Sequence, residues 1–397
     1  MDPSILLSLS YDSLKEVQPE IVDINTGWYS QNGQIALREN YTYRSTQSGM
    51  KPTYCNVATY DILQRVKDAF DTDGFVEARD ATNPFEQIGR SIFINRAGVK
   101  LANIDAVHHV SKNTFTFDKK TSDDPFTFCD IAAGPGGFTQ YMQYRYPNSI
   151  GYGMTLRSTN LDWSTKFINM DKFTPFYGPD NSGNLYSNHE SFVEYVLKHE
   201  RDGVDLVTGD GGFDLEDNND KTLLHQQEFL SSRLLLTQCL VGIGCTKIAG
   251  NFVVKVFDTV TTISAQILFV LAQCFQKILI FKPATSRPAN AERYVICMNR
   301  NPDVGAYYQL LLTAAKSYTN EYLATIFANS MDVSFEEWLT ISNNESINRQ
   351  LEAAERILRY LKGLDLEIPS YNIHKFLTIW NLPDTPLNNR RDLITIS

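Results

Sequence analysis

The run Asp130-Ile-Ala-Ala-Gly134-Pro-Gly136-Gly137-Phe138 stands between an apolar segment, Phe126 to Ile131, and a segment of helical character, Phe138 to Arg145. Glycines crowded between a strand and a helix allow a tight backbone turn and the close approach of a ligand. The flanking sequence repeats the alternation. Ile150 to Leu156, Val204 to Thr208, Asn251 to Phe257, Ile278 to Lys282 and Arg293 to Met298 read as strands, and Leu223 to Gly242 and Ser264 to Lys277 as helices. This order favours an α/β fold with parallel strands and helices on both faces of the sheet. The alternation runs from residue 84 to 302. Before it, residues 1–83 form an N-terminal extension with an amphipathic helix over Ala58 to Phe70. After it, residues 303–397 form a helical C-terminal extension with a strong helix at Leu351 to Leu361.

Across 397 residues, 43% are hydrophobic and 21% charged, which excludes a disordered or fibrous chain. The most apolar stretch, Ile263 to Phe281, is broken by Gln266, Gln273, Gln276 and Lys277, so no membrane span is expected. The first ten residues lack a basic region ahead of their short apolar run, so an intracellular protein is expected. The six cysteines, at 55, 129, 239, 245, 274 and 297, form no C-x-x-C pair and read as reduced thiols. No metal site is expected, and the adjacent His108 and His109 read as structural. A net charge of -10 argues against indiscriminate nucleic-acid binding but leaves room for a local basic groove.

The glycine loop is not G-x-G-x-x-G, because Thr139 takes the third position. No acid between Gly151 and Leu161 is placed to hold a ribose, which disfavours a nicotinamide cofactor. The lysine of a nucleoside-triphosphate loop is also missing. A strand ending in Asp followed by Ala-Gly-Pro-Gly-Gly has the form of S-adenosylmethionine loops, although a purely structural turn could share it. Four charged residues add to this. Lys255 lies inside an apolar strand, where a lysine needs a partner or a function. Asp210 follows a strand, at the edge where open α/β sheets place ligands. Glu292 precedes a strand, and Lys100 precedes the glycine loop. Singly, Lys100 and Glu292 could be surface charges and Asp210 a turn cap.

Taken in order, lysine, glycine loop, aspartate, lysine and glutamate resemble the tetrad of Rossmann-like 2′-O-methyltransferases. Further blocks are similar to the cap-specific mRNA (nucleoside-2′-O-)-methyltransferases, relatives of the FtsJ ribosomal RNA enzymes. They are Asn83-Pro-Phe-Glu86, Phe93-Ile-Asn-Arg-Ala97, Gly153-Met-Thr-Leu156, Asp210-Gly-Gly-Phe213, Lys255-Val-Phe-Asp258, Phe281-Lys-Pro283, Thr285-Ser-Arg-Pro-Ala-Asn290 and Glu292-Arg-Tyr294. Ile379-Trp-Asn-Leu-Pro383 is a fainter echo of the family's C-terminal segment.

The resemblance implies a Rossmann-like S-adenosylmethionine-dependent methyltransferase sheet and methylation of the ribose 2′-hydroxyl of the nucleotide next to the mRNA cap, with Lys100, Asp210, Lys255 and Glu292 catalytic. It implies cofactor contacts from Asn95 and from Ala132, Ala133, Gly134, Pro135, Gly136, Gly137 and Phe138, with Asn184 in the place of a family aspartate. It assigns the capped RNA end to the segment from Lys67 to Asp71 and an RNA contact to Asn290, which makes the N-terminal extension part of the RNA surface; composition adds Arg287, from the basic surplus over Lys282 to Arg293, and the aromatic face of Phe70, which at helical spacing with Ile62, Leu63 and Val66 could equally be core. The enzyme would work in the nucleus if cellular, and in the virion or host cytoplasm if viral. A ribosomal or transfer RNA 2′-O-methyltransferase shares the tetrad. A non-catalytic RNA-binding subunit on this scaffold should show it eroded, whereas all four positions are intact. Transfer from a sulfonium to a hydroxyl is an in-line displacement, so the chain must align the two groups and accept a proton, a task that suits Lys255 within a coupled charge cluster.

Overall fold

A computed structural model describes residues 27–29, 35–44, 51–70, 73–110, 125–158, 161–212, 226–318 and 321–384. Asp71, Phe213, the first ten residues and the side chains of His108 and His109 lie outside this description. In chain order the elements begin with β1 (Trp28–Tyr29), β2 (Glu39–Arg44), α1 (Val57–Asp68), α2 (Phe75–Ala81) and α3 (Arg96–Val110). The central part holds β3 (Thr127–Ile131), α4 (Gly137–Arg145), β4 (Ile150–Met154), β5 (Phe173–Pro175), α5 (Leu185–His199), β6 (Val204–Gly209), α6 (Gln227–Cys245) and β7 (Thr246–Val256). Then come α7 (Thr262–Cys274), β8 (Phe275–Phe281), β9 (Arg293–Arg300), α8 (Gly305–Ser317), β10 (Tyr322–Phe327), α9 (Val333–Leu361) and α10 (Ile373–Ile379).

Among the described residues the main sheet has eight strands in the order β1-β8-β9-β7-β6-β3-β4-β5. Strands β3 to β7 run parallel, β9 lies antiparallel between β7 and β8, and β1 is antiparallel to β8. From β3 the chain moves outward through β4 and β5 and then returns to β6 on the other side. The strand order therefore reverses between β3 and β6, and a crevice opens at their C-terminal ends.

Strand residues alternate between two apolar layers, as a period of two requires. Cys129, Phe252, Val254 and Val256 face the layer of α5 to α8, whereas Phe128, Leu206 and Val253 face that of α3, α4 and α10. Strands covered on both faces read as continuous apolar runs, which is why they were visible in the sequence. All six cysteines are free and buried. No helix among the described residues is long and apolar enough to cross a membrane.

The two extensions meet each other and the sheet. Strand β2 pairs with β10, a strand within the otherwise helical C-terminal segment, and β1 extends the main sheet. Helix α9 packs on α1, where Leu351, Ala354 and Ile347 cluster with Tyr60, Leu63 and Val66. The Ile379 to Pro383 segment is anchored as well: Trp380 and Leu382 are buried against Phe85, whose ring stacks on Tyr371 at 5.0 Å. Helix α7 stops at Cys274, because β8 starts three residues earlier than the sequence suggests.

Candidate active site

The glycine loop lies at the crevice. Asp130, the residue before the end of β3, is fully buried and accepts bonds from the Thr139 amide (3.0 Å) and hydroxyl (2.8 Å) and from the Thr208 hydroxyl (2.8 Å). Burial pushes its carboxyl up to about 7, against the pull of these hydroxyl bonds. Thr139, the residue that departs from a dinucleotide loop, thus ties α4 to Asp130 of β3, which Thr208 links in turn to β6. Ala132 sits at φ 52° and Gly136 at φ 106°. A Cβ on Gly134 would lie 1.8 Å from the Leu161 carbonyl oxygen, and one on Gly137 would lie 2.0 Å from Asn95 Oδ1. Asn95 accepts from the Ala97 amide at 3.1 Å, opening α3 directly against the loop.

Beside the loop is an open cleft of about 570 Å³, lined by Ile94, Pro135, Arg157, Ser158, Asp162, Trp163 and Ser164. That volume suits one small ligand. The Trp163 indole forms a wall under the loop, with Cε3 toward Gly136 and Cζ2 toward Gly153, and its Nε1 is buried away from solvent. Two of the expected cofactor residues have other duties. The Phe138 side chain is fully buried, with its ring 6.0 Å from that of Tyr294, so a ligand could meet only its backbone. Asn184 caps α5, its side-chain oxygen accepting from the Tyr186 amide at 3.0 Å.

The four charged residues converge from four elements. Lys100 of α3 lies 2.6 Å from Glu292 Oε1, just ahead of β9, and Lys255 of β7 lies 3.4 Å from Asp210 Oδ1, just after β6. Because β9 is antiparallel to β7, its beginning meets the C-terminal ends of β6 and β7. Gly212 leaves room for Lys255, since a Cβ there would lie 2.9 Å from Lys255 Cε. The Tyr294 hydroxyl donates to Asp210 Oδ1 at 2.8 Å, and Ser286 Oγ donates to Glu292 Oε1 at 2.8 Å. Burial alone would raise the Glu292 carboxyl, but the Lys100 and Lys255 cations and the Ser286 bond hold it at about 2.

Lys100→Met should therefore strand a largely buried carboxylate. The expected loss is about 2 kcal/mol at pH 7, below the ~3–5 kcal/mol of a fully dry pair because both side chains keep some solvent contact. The folded Glu292 titrates below its unfolded value of about 4.3, so this stabilisation is present above that value and is lost as pH falls toward 2. Urea unfolding of both proteins should show the gap at pH 7 narrowing by pH 3. A gap independent of pH would contradict the pairing.

A basic and aromatic surface adjoins this cluster. The Phe70 ring stacks on Phe75 at 4.9 Å, Arg79 lies over Phe75 at 5.8 Å, and Arg287 shares Asp80 with Arg79. Burial first, then the Arg79 and Arg96 cations, lower the Arg287 guanidinium. Phe70 also packs on the α1–α9 cluster, so it is partly a core residue. Lys67 donates to Gln350 of α9 at 2.7 Å. Arg96 pairs with Glu86 and donates to the Thr285 carbonyl at 3.2 Å, linking the Asn83 to Glu86 block to the loop before Glu292. Sequence reasoning missed Arg79, Tyr294, Lys282 and the cleft residues Arg157, Asp162 and Trp163. Asp162 lies one residue beyond the Gly151 to Leu161 stretch in which a ribose-binding acid was expected.

An open sheet with a glycine loop at its switch point and charged residues along the same edge defines a Rossmann-like α/β enzyme scaffold. The chain belongs to the FtsJ-like methyltransferase family, whose sequence model matches residues 93–300, more than half of the chain. It is similar to proteins named cap-specific mRNA (nucleoside-2′-O-)-methyltransferase 1. The Drosophila melanogaster protein is 34% identical over 359 residues, covering 83% of this chain and 44% of the relative. The Homo sapiens protein is 31% identical over 355 residues (82% and 42%), and the Dictyostelium discoideum protein is 32% identical over 366 residues (83% and 47%). The chain spans less than half the length of these relatives.

Proposed function

We propose that this protein transfers a methyl group from S-adenosylmethionine to the ribose 2′-hydroxyl of the first transcribed nucleotide of capped mRNA. The observation that carries this reading is the convergence of the Lys100–Glu292 and Lys255–Asp210 pairs at the crevice edge that also holds the glycine loop. The similarity to cap-specific enzymes supports the choice of RNA.

The site fits the cofactor: a loop in which an added Cβ at Gly134, Gly136 or Gly137 would overlap its neighbours, a cleft of suitable volume and the Asp162 carboxylate stand together. Loop backbone with Asn95, and the Asn184 region, would hold it. When bound, S-adenosylmethionine supplies a methyl group on a positively charged sulfur. Lys255 Nζ, once deprotonated, would take the proton that the ribose hydroxyl gives up on receiving that methyl group. Asp210, steadied by Tyr294, orients Lys255, and the Lys100–Glu292 pair fixes the neighbouring charge.

Lys67, Phe70, Asp71, Arg287 and Asn290 hold the capped strand, joined by Arg79 and Arg96. Their substrate places the enzyme inside the cell, in the nucleus where the source is cellular. Phosphate contacts imply affinity that weakens with salt, steeply if several charges are neutralised. Arg287→Ala should lower kcat/KM on capped RNA about tenfold, the scale of one charged contact, with a smaller loss on uncapped RNA of the same sequence. Phe70→Ala should follow the same pattern with a lower Tm, because its ring also packs on the α1–α9 cluster. Equal losses on both RNAs would assign these residues to general strand holding and favour a ribosomal or transfer RNA substrate.

A further inference from the structure

Lys282 follows β8 and reaches across the loop that leads to Glu292. Its Nζ lies 2.7 Å from the Asn290 carbonyl oxygen, 2.8 Å from Asn290 Oδ1 and 3.0 Å from the Glu292 carbonyl oxygen. An ammonium has three donors and no acceptor, so these three oxygens use it completely. The contact also fixes which end of the Asn290 amide is oxygen, because an ammonium can only donate. With Oδ1 turned to Lys282, and Ser286 Oγ 3.4 Å from the same atom, the half of the side chain left for a ligand is the Nδ2 donor.

We infer that Lys282 is a positioning residue that presents the Asn290 amide as a hydrogen-bond donor to an acceptor oxygen of the bound RNA, a phosphate or ribose oxygen. This rests on the proposal that RNA crosses Asn290. The arrangement is held against an electrostatic penalty. Burial lowers the Lys282 ammonium to about 7, the Glu292 carboxylate opposes that, and Arg293, Lys67 and Lys100 add to it. A plain loop strut does not need a charged group under this load, since an uncharged donor could tie the same carbonyls.

A double-mutant cycle separates the two roles. Steady-state methyl transfer to a short capped RNA is measured for the wild type, Lys282→Met, Asn290→Ala and the double variant. Each single change is expected to raise the RNA KM about tenfold with kcat within about twofold, and the double variant to be no worse than either single. Additive effects, or a fall in kcat and Tm with KM unchanged for Lys282→Met, would overturn the inference and leave Lys282 as a strut. An unchanged KM for Asn290→Ala would overturn the RNA assignment of Asn290, and the inference with it. Lys282→Gln, which removes the buried charge and keeps an N–H₂ donor group, serves if the methionine variant does not fold. Its KM should be intermediate, and its remaining effect should also vanish in the Asn290→Ala background; persistence there would count against the inference.

Discussion

Lys255→Ala lowers the rate of methyl transfer by about 10³-fold or more, on the scale of a lost general base, while the Kd for S-adenosylmethionine stays within about threefold. The lysine is on β7, across the crevice from the glycine loop, and its nearest charged partner is Asp210 at 3.4 Å. Its removal leaves the loop, Asn95 and the Trp163 cleft untouched. Asp210 keeps the Tyr294 hydroxyl, so the carboxylate is not orphaned and the fold should persist. Rapid-quench turnover beside calorimetric cofactor binding checks both halves. Turnover within about tenfold of wild type would remove Lys255 from the proton-transfer role.

The second large effect is on binding. Gly136→Val should weaken the cofactor at least about 100-fold, because this position asks two things of glycine at once. Its φ of 106° is one that a β-branched residue rarely adopts, and a Cβ there would lie 2.3 Å from Ile168 Cδ1 and 3.1 Å from Trp163 Cε3. Relief of that overlap must shift Ile168 and press on Trp163, a wall of the cleft, while the β-branched residue also strains the loop backbone. Calorimetry with S-adenosylmethionine, on a variant whose circular dichroism matches the wild type, reads the effect. An unchanged affinity would show that the loop does not hold the cofactor.

The parts legible in the sequence were those written in local pattern. Strands buried on both faces show as unbroken apolar runs, and the glycine loop marks its own strand-to-helix junction. The charged positions were visible because a lysine inside Asn-Phe-Val-Val-Lys-Val has no ordinary reason to be there. What stayed hidden depends on pairing across long stretches of chain. Tyr294 becomes a partner of Asp210 only because β9 lies beside β7 with Tyr294 opposite Lys255. The β2–β10 pairing joins segments almost 300 residues apart, and six-residue strands in helical or irregular surroundings carry little periodic signal. The side chains of Phe138 and Asn184 show the converse. Their positions follow from the motif, but core packing and helix capping absorb the groups themselves.

The most direct test of the proposed activity is to locate the transferred methyl group. Capped and uncapped RNAs of one sequence are incubated with isotopically labelled S-adenosylmethionine, digested with nucleases and analysed by mass spectrometry, with Lys255→Ala as the control. The account predicts one labelled methyl on the ribose 2′-oxygen of the first nucleotide after the cap, in the capped RNA and with the wild-type protein. Label on a base, on an internal ribose, or in equal amount on the uncapped RNA would contradict it.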